Sequence, residues 1–521
     1  MIGRDVASEP DECSSRSSSG RRWGPSCVRR LVNGEAGAYN PGVTPQDVPE
    51  SAPLERRLTL FPATALNMAN MLGAGPFITI PLLMSALGGP QSLLGWLVAL
   101  LITVPDALVW SELGAALPGS GGTYGWLREG FGRQTWGRLM AFLFLWQFLL
   151  SGPMEIASAY IGVAQYLDYL SPGMTLPGGG LSAKGGAVVV ALGVVTVALL
   201  YRRIASIARL TLFLWAGVMV TVLVVLVSGA VHFDARKAFD LPDDPWRFSL
   251  GFFLGLGAAA RVGIYDFLGY YDVCYLGDEV KDPGRTIPRA VLASLLVVAA
   301  IYVGINLSIN GVISWREFVP ADQHPQVANF IASVFVERLH GKVAAQGFTL
   351  LVVWTAVGSI FALLLGYSRI PYAAARDGAF FGAFGRLHPR GRFPHVSLLV
   401  LGGLSIAAAF LPLALVIDTL VTARILIQFI GQIVALVLLR RHAPNLARPY
   451  RVWWYPVPLF LAGAGWLLVF ATTPLRTLAW AMAALVIGVI GYLAWARVAG
   501  HWPFQLLGKG VVAGEKPVGG E

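Results

Sequence analysis

Charged residues are scarce in this 521-residue chain. Only 13% of its residues are Asp, Glu, Lys or Arg, whereas a soluble domain carries about 25%. Hydrophobic residues make up 55% instead. A membrane-spanning helix needs roughly 20 mostly apolar residues, because the hydrocarbon core of a bilayer is about 30 Å thick. Such runs recur along the chain. The shortage of charge therefore excludes a string of soluble domains and predicts an all-α integral membrane protein in a lipid bilayer.

Cysteine and histidine are also few. The three cysteines, Cys13, Cys27 and Cys274, have the spacing of neither a metal site nor a disulfide framework. The seven histidines fall in predicted loops, tails or helix ends, and no nucleophile–base pair emerges. We therefore expect no cofactor, no metal site and no catalytic site, which disfavours a membrane enzyme. A channel is disfavoured because its continuous polar stripe is missing.

Twelve apolar helices are predicted, and we number them α1 to α12. They form one predicted transporter domain over residues 58–498. A polar tail over residues 1–57, rich in Ser, Arg, Gly and Pro, is predicted to be disordered, and residues 499–521 form a second tail. The predicted helices are Leu58–Leu87, Gln91–Leu117, Gly137–Leu170, Gly186–Tyr201, Ile207–Val231, Arg247–Leu276, Ile287–Ile313, Val343–Ala374, Val396–Phe410, Leu413–Leu439, Trp453–Ala471 and Leu475–Arg497.

The basic residues are distributed unevenly between the two sides of the membrane. With the N-terminus in the cytoplasm, 29 of the 39 Lys and Arg residues lie on the cytoplasmic side and 8 on the other. Positive charge is retained on the cytoplasmic side of membrane proteins. The pattern predicts a multi-pass protein of the cell membrane, plasma or inner, with both termini cytoplasmic. It also accounts for the net charge of +10, so no nucleic acid partner is expected.

Two of the predicted helices are interrupted by residues that disfavour a helix. In α1 the run Gly73, Ala74, Gly75, Pro76, Phe77 contains two glycines, at about 1 kcal/mol each, and a proline, at about 3 kcal/mol. In α6 aspartates and a glycine interrupt the apolar run between Ile264 and Asp272. Interrupted helices at corresponding places in two halves indicate a transporter site. The offset of five helices predicts two five-helix inverted repeats, residues 58–231 and 247–440, followed by two extra helices over 453–497.

Such breaks have a specific chemistry. The amino-terminal end of a half-helix presents N–H groups and a positive dipole end to a carboxylate. The carboxyl-terminal end presents free carbonyls, which suit an ammonium group. A zwitterionic amino acid carries both groups. Close helix packing is the alternative role for Gly73 and Gly75, but packing does not explain Pro76.

Four motifs in order resemble the amino acid–polyamine–organocation superfamily of permeases. Gly73–Phe77 resembles its segment in the first helix, and Glu112–Gly132 resembles its loop after the second. Gly277–Ala290 resembles its link between the sixth and seventh helices. The segment Ser368–Pro394 resembles the one after its eighth helix.

This resemblance implies a leucine-transporter-type fold with the substrate between α1, α3, α6, α8 and α10. It implies secondary active transport of amino acids by alternating access. The residues that it implies to bind the substrate are Gly73, Ala74, Gly75, Pro76, Phe77, Tyr265, Asp266, Phe267 and Gly269.

The sequence departs from the superfamily pattern at two of these positions. Isoleucine is usual where Pro76 stands, and a small neutral residue is usual where Asp266 stands. A buried carboxylate could neutralise an extra positive charge on the substrate. The substrate is therefore predicted to be an amino acid, with a polyamine or other organic cation as the alternative.

Intramembrane charges give a further hypothesis. A charge at mid-bilayer costs at least about 2.5 kcal/mol and needs a partner or a cavity. Counting along α3 and α6 places Glu155 and Arg261 at similar depth, which predicts an ion pair between them, beside Asp266 and Asp272. A purely structural role stays open for this pair. Coupled protons, exchange and sodium all stay open as driving forces, and the protein is predicted to be a monomer or homodimer.

Overall fold

A computed structural model describes residues 56, 58–73, 75–133, 135–176, 180–201, 204–389, 391 and 393–498, the side chains of 204–209 and 498 excepted. The predictions for the tails, at 1–55, 57 and 499–521, and for Ala74 lie outside the described residues. Within these limits the chain is helical. Strand pairing among the described residues is limited to isolated bridges such as Leu58 with Val280.

The helices follow the predicted order closely. The first, α1, is broken into Leu60–Met71, Gly75–Ile78 and Ile80–Leu87. In chain order from α2 to α9, the others are Leu94–Ala116, Trp136–Leu170, Ala183–Leu200, Ile204–Val231, Leu250–Phe267, Pro283–Asn310, Ile331–Tyr367 and His395–Ala408. Helix α10 comprises Leu413–Arg424, a π-helical turn Ile425–Ile430 and Gly431–His442. Last come α11, Val457–Ala471, and α12, Leu475–Val498.

Length and composition confirm an all-α membrane protein. In the described part of the chain, nine helices are long and apolar enough to cross a bilayer. In α1 the stretches Leu60–Ile78 and Ile80–Leu87 meet at an angle of 59°, and together they add a tenth candidate span. Helices α9 and α11 are apolar but shorter, with 14 and 15 residues, below the roughly 17 residues that a span needs. The count of twelve spans therefore stays a prediction.

Two helix ends differ most from the prediction. Helix α6 ends at Phe267 instead of continuing to Leu276, because Gly269 takes a φ of +111° that no helix allows. Helix α8 begins at Ile331, twelve residues earlier than predicted. Its first part meets the rest at Gly341, whose φ of +82° breaks the helical path.

The packing surrounds the first part of α1 with other helices. Helix α7 packs along Leu60–Met71, and α5 and α8 also contact it. Helix α3 packs against α8 and α10, while α2 packs against α6 and α7. The break in α1 consequently lies inside the protein, where Leu72 and Phe77 are buried.

Candidate functional site

The break in α1 lies directly against α8. The helix ends at Met71 and resumes at Gly75. A methyl group on Gly73 would lie 2.6 Å from the Cβ atom of Ser359, so only glycine permits this contact. The Gly73 carbonyl, which has no helical partner, accepts a hydrogen bond from the Thr355 hydroxyl at 3.2 Å. Pro76 is the second residue of the resumed helix, where its missing N–H removes no helical hydrogen bond.

The break in α6 faces the same region. After Phe267 the chain leaves the helix with a ψ of 135° at Leu268 and then turns at Gly269. A methyl group on Gly269 would lie 2.1 Å from the Asn70 amide nitrogen. Glycine is thus required twice, for the positive φ and for the approach to α1. The chain continues as a short 3₁₀ turn, Asp272–Tyr275.

Two asparagines of α1 hold the unwound part of α6. The Asn67 amide donates to the Tyr270 carbonyl at 2.5 Å, and its oxygen accepts from the Val273 N–H at 3.0 Å. The Asn70 amide donates to the Asp272 carboxylate at 2.7 Å. Positions three apart share one face of a helix. The Asn67 side chain thereby satisfies two backbone groups of the unwound segment, and such groups must be paired away from water.

A tyrosine of α7 connects the two breaks. The Tyr302 hydroxyl lies within hydrogen-bonding distance of the Met71 carbonyl, at the end of the first part of α1, and of the Asp266 carbonyl in α6, at 2.9 Å. The side chain is fully buried. Its single proton bridges two carbonyls at two helix breaks.

A small cavity of about 20 Å³ lies between the breaks. It has room for about one water molecule and is well below the size of small-molecule sites, about 300–1,000 Å³. Four of the predicted residues line it: Gly73, Gly75, Tyr265 and Asp266. The other walls come from α3 and α8, through Glu155, Ser158, Ala159, Ser359 and Leu363. The Tyr265 hydroxyl donates to the Ser158 hydroxyl at 2.7 Å, which links α6 to α3.

The remaining predicted residues lie around the cavity but do not line it. Phe77 packs edge-on against Phe348, with ring centroids 6.3 Å apart. Phe267 packs against Trp96 at 5.3 Å. Pro76 is buried in the resumed part of α1, and Gly269 contacts Asn70. Whether any of them contacts a substrate stays a prediction.

The predicted ion pair between Glu155 and Arg261 is wrong. Glu155 pairs with Arg424 of α10 at 2.5 Å, and both are buried. Arg261 points the other way, with its guanidinium 3.5 Å from the Asp418 carboxylate and a hydrogen bond to the Thr472 carbonyl. Counting residues along a helix estimates depth, but it does not say which face of the helix a side chain lies on. The face of α6 that carries Arg261 packs against the end of α11.

Asp272 is fully buried and bonds to Asn70. It lies in the unwound segment and forms no ion pair among the described residues. Sequence reasoning missed the polar residues that hold the breaks, which are Asn67, Asn70, Thr79, Tyr302 and Ser359. The sequence does contain one signal for them. Two asparagines occur within the apolar helix α1, and a buried amide group needs hydrogen-bond partners.

Comparison with known proteins agrees with this architecture. The sequence model of the amino acid permease family matches residues 58–492. An uncharacterized transporter of Mycobacterium tuberculosis is 30% identical over 374 residues, 70% of this chain and 76% of that one. The branched-chain amino acid permease BcaP of Bacillus subtilis is 28% identical over 472 residues, 85% and 94% of the two chains. The human cystine/glutamate transporter is 28% identical over 425 residues, 79% and 78%.

A polytopic helical bundle with two broken helices around a small buried cavity defines a membrane transporter. Because the sequence model of the amino acid permease family matches residues 58–492, the chain belongs to this family, within the amino acid–polyamine–organocation superfamily. Its relatives are named as transporters of small molecules and not as enzymes.

Proposed function

We propose that this permease is a secondary active transporter that carries amino acids by alternating access and binds them at the breaks in α1 and α6. One observation carries the proposal. The two breaks adjoin one cavity, and Asn67, Asn70 and Tyr302 hold them together.

The geometry suits a zwitterion. At Gly75 a helix begins, and its N–H groups and dipole favour a carboxylate. At Phe267 a helix ends, and its carbonyls favour an ammonium group. Relatives named as permeases for branched-chain amino acids and for cystine and glutamate support this substrate class.

The proposal includes the leucine-transporter-type arrangement, with inverted repeats over 58–231 and 247–440, extra helices over 453–497 and twelve spans. It also includes a cell-membrane location with both termini cytoplasmic, proton coupling, and function as a monomer or homodimer. The Lys and Arg distribution supports the orientation.

A second candidate is transport of a polyamine or another organic cation by the same fold. The charge around the cavity favours it, because Asp266, Asp272 and Glu155 are all buried. Among the described residues, only Arg424 lies close enough to pair with one of them. A ligand with additional positive charge would find two further carboxylates. The two candidates differ in which ligands bind.

Thermal stabilisation of the purified protein by a panel of amino acids and polyamines separates the candidates. A ligand that binds only the folded state at a hundredfold excess over Kd stabilises it by about 2.7 kcal/mol. We expect stabilisation by a few amino acids in the wild type, and its loss in Gly75→Val, because even a methyl group there would lie 2.5 Å from the Asp266 carboxylate. Gly347→Ala, in α8 with no atom near its new methyl, is the control and should behave as the wild type.

Stabilisation by putrescine or spermidine alone would replace the amino acid proposal by the second candidate. Stabilisation by neither class would contradict both.

A further inference from the structure

The hydroxyl of Thr79 has more acceptors than it has protons. Thr79 lies between the last two pieces of α1, and its Oγ1 is 2.8 Å from the Gly75 carbonyl and 2.6 Å from the Asp266 carboxylate Oδ2. A threonine hydroxyl has one proton to donate and two lone pairs. One proton would have to be shared between the two contacts, whereas a second proton lets each contact be a separate hydrogen bond. The carboxyl group is the place for it: Asp266 then donates to Thr79, and Thr79 donates to the Gly75 carbonyl.

The other oxygen of Asp266 lies at the start of the resumed helix of α1. Oδ1 is 2.5 Å from the position that a methyl group on Gly75 would occupy. This oxygen has no hydrogen-bond partner among the described residues, although the side chain is only 2% exposed and lines the cavity. It therefore occupies the place where the carboxylate of an amino acid would meet the helix N-terminus.

We propose that Asp266 is the proton-binding residue of the substrate site, and that a proton must occupy it before a ligand with a free carboxylate binds at the break in α1. The inference rests on the proposed amino acid transport. According to this inference, Asp266 binds the proton and also decides whether a ligand with a free carboxylate can bind.

Among the described residues, no cation lies near enough to pair with Asp266. Its neighbours on α1, α6, α7 and α8 contribute hydroxyls and carbonyls, and the cavity-facing Glu155 is acidic. Arg424 is paired with Glu155, and Arg261 lies with Asp418. The titratable and charged groups on the elements around Asp266 include Asp106, Glu155, Arg261, Tyr265, Asp272, Tyr302, Tyr367, Asp418 and Arg424. An unpaired buried carboxylate is costly, and a proton removes that cost.

The unprotonated carboxylate would repel the ligand. Two carboxylates within a few ångström in a buried site cannot both stay charged without a large penalty. The helix N-terminus can favour only one of them. Protonation of Asp266 frees that position, so binding of the ligand and of one proton are linked.

The experiment measures the affinity of the purified full-length protein for L-leucine, or for the amino acid that stabilises it most, between pH 5 and pH 8. For one linked proton the affinity of the wild type should rise as pH falls, by up to about tenfold per pH unit. Asp266→Asn imitates the protonated side chain, so its affinity should be high and independent of pH. Asp418→Asn removes an acidic group outside the cavity and should keep the wild-type pH profile.

Thr79 supplies a second test that leaves Asp266 in place. Thr79→Ser keeps the hydroxyl and should keep the profile. Thr79→Val removes the acceptor for the proton, so the pH of half-maximal affinity should move to a lower value. A structural role of Thr79 alone would lower stability without moving that pH.

Several results would overturn the inference while leaving amino acid transport intact. One is an affinity of the wild type that does not change with pH. Another is a pH profile that survives in Asp266→Asn. A third is stabilisation by sodium at fixed pH that Asp266→Asn abolishes, which would assign these oxygens to a metal cation. Binding only of amines without a carboxylate, lost in Asp266→Asn, would make Asp266 an amine ligand and would contradict the proposed function as well.

Discussion

Glu155 of α3 and Arg424 of α10 form a buried ion pair at 2.5 Å, and Arg424 lies at the residue where α10 changes from an α-helix to a π-helical turn. Tyr367 of α8 donates to the same carboxylate oxygen at 2.5 Å, and Ser151 accepts from the Arg424 guanidinium at 3.0 Å. Three helices therefore meet in one polar cluster beside the cavity. Short π-helical turns are frequent at functional sites.

Breaking this pair should destabilise the protein strongly. Glu155→Gln or Arg424→Gln leaves one charge buried without a partner, which costs about 3–5 kcal/mol. The double variant removes both charges and should be more stable than the sum of the single losses predicts. A double-mutant cycle by thermal unfolding in detergent measures this coupling. Simple additivity of the two losses would contradict the pairing.

The asparagine contacts should matter for transport as well as for stability. Asn67→Ala leaves the Tyr270 carbonyl and the Val273 N–H unpaired in a buried place, at about 1–3 kcal/mol for each group. We expect a clear loss of thermal stability and of amino acid uptake in proteoliposomes. Thr64→Ala removes a hydroxyl from the exposed side of the same helix and should change neither. Wild-type uptake by Asn67→Ala would show that these contacts only stabilise the fold.

The bridge between the two breaks can be removed by taking away a single atom. Tyr302→Phe keeps the ring that packs against Trp96 and Phe267 but loses the hydroxyl between the Met71 and Asp266 carbonyls. We expect a stability loss of about 1–3 kcal/mol and weaker ligand binding, measured by calorimetry. Tyr160→Phe loses a buried hydroxyl that contacts Thr196, away from the cavity, and should lower stability without weakening binding.

An ion pair between a loop carboxylate and the first part of α8 predicts a dependence of stability on acid. Glu317, in the connection between α7 and α8, accepts a hydrogen bond at 2.5 Å from Arg338 of α8, and this bond lowers the pKa of Glu317 below its ordinary value of 4.5. A lowered pKa in the folded state contributes stability above the unfolded pKa, and this contribution is lost as pH falls through the folded pKa. Glu317→Gln should therefore lower the melting temperature near neutral pH. Its effect should shrink as pH falls below 4.5 and disappear below the lowered pKa of the folded state.

The matched control is Asp322→Asn, an exposed acid in the same connection, which should behave as the wild type across this range. An equal effect of Glu317→Gln at all pH values would show that the side chain acts through packing instead.

The sequence was sufficient for the helices and for the position of both breaks. Apolar runs located the long apolar helices, and Gly73, Pro76 and Gly269 located the interruptions, because these residues act locally on the backbone. The sequence did not predict which side chains of different helices pair with each other. The pairing of Glu155 depends on which face of α10 turns inward, and the π-helical turn after Arg424, a local change in helical winding, helps to decide it. Asn67 and Asn70 find their partners about 200 residues further along the chain.

The asparagine contacts also limit how this transporter can move. They join the first part of α1 to the unwound part of α6 by three hydrogen bonds, so a movement that separated these two segments would expose several unpaired groups at once. The contacts of α1 with α8 add the close packing of Gly73 on Ser359 and hydrogen bonds from the Thr355 and Ser359 hydroxyls to the Gly73 and Asn70 carbonyls. The segments of α1 and α6 that the asparagines join should therefore swing together as one lever.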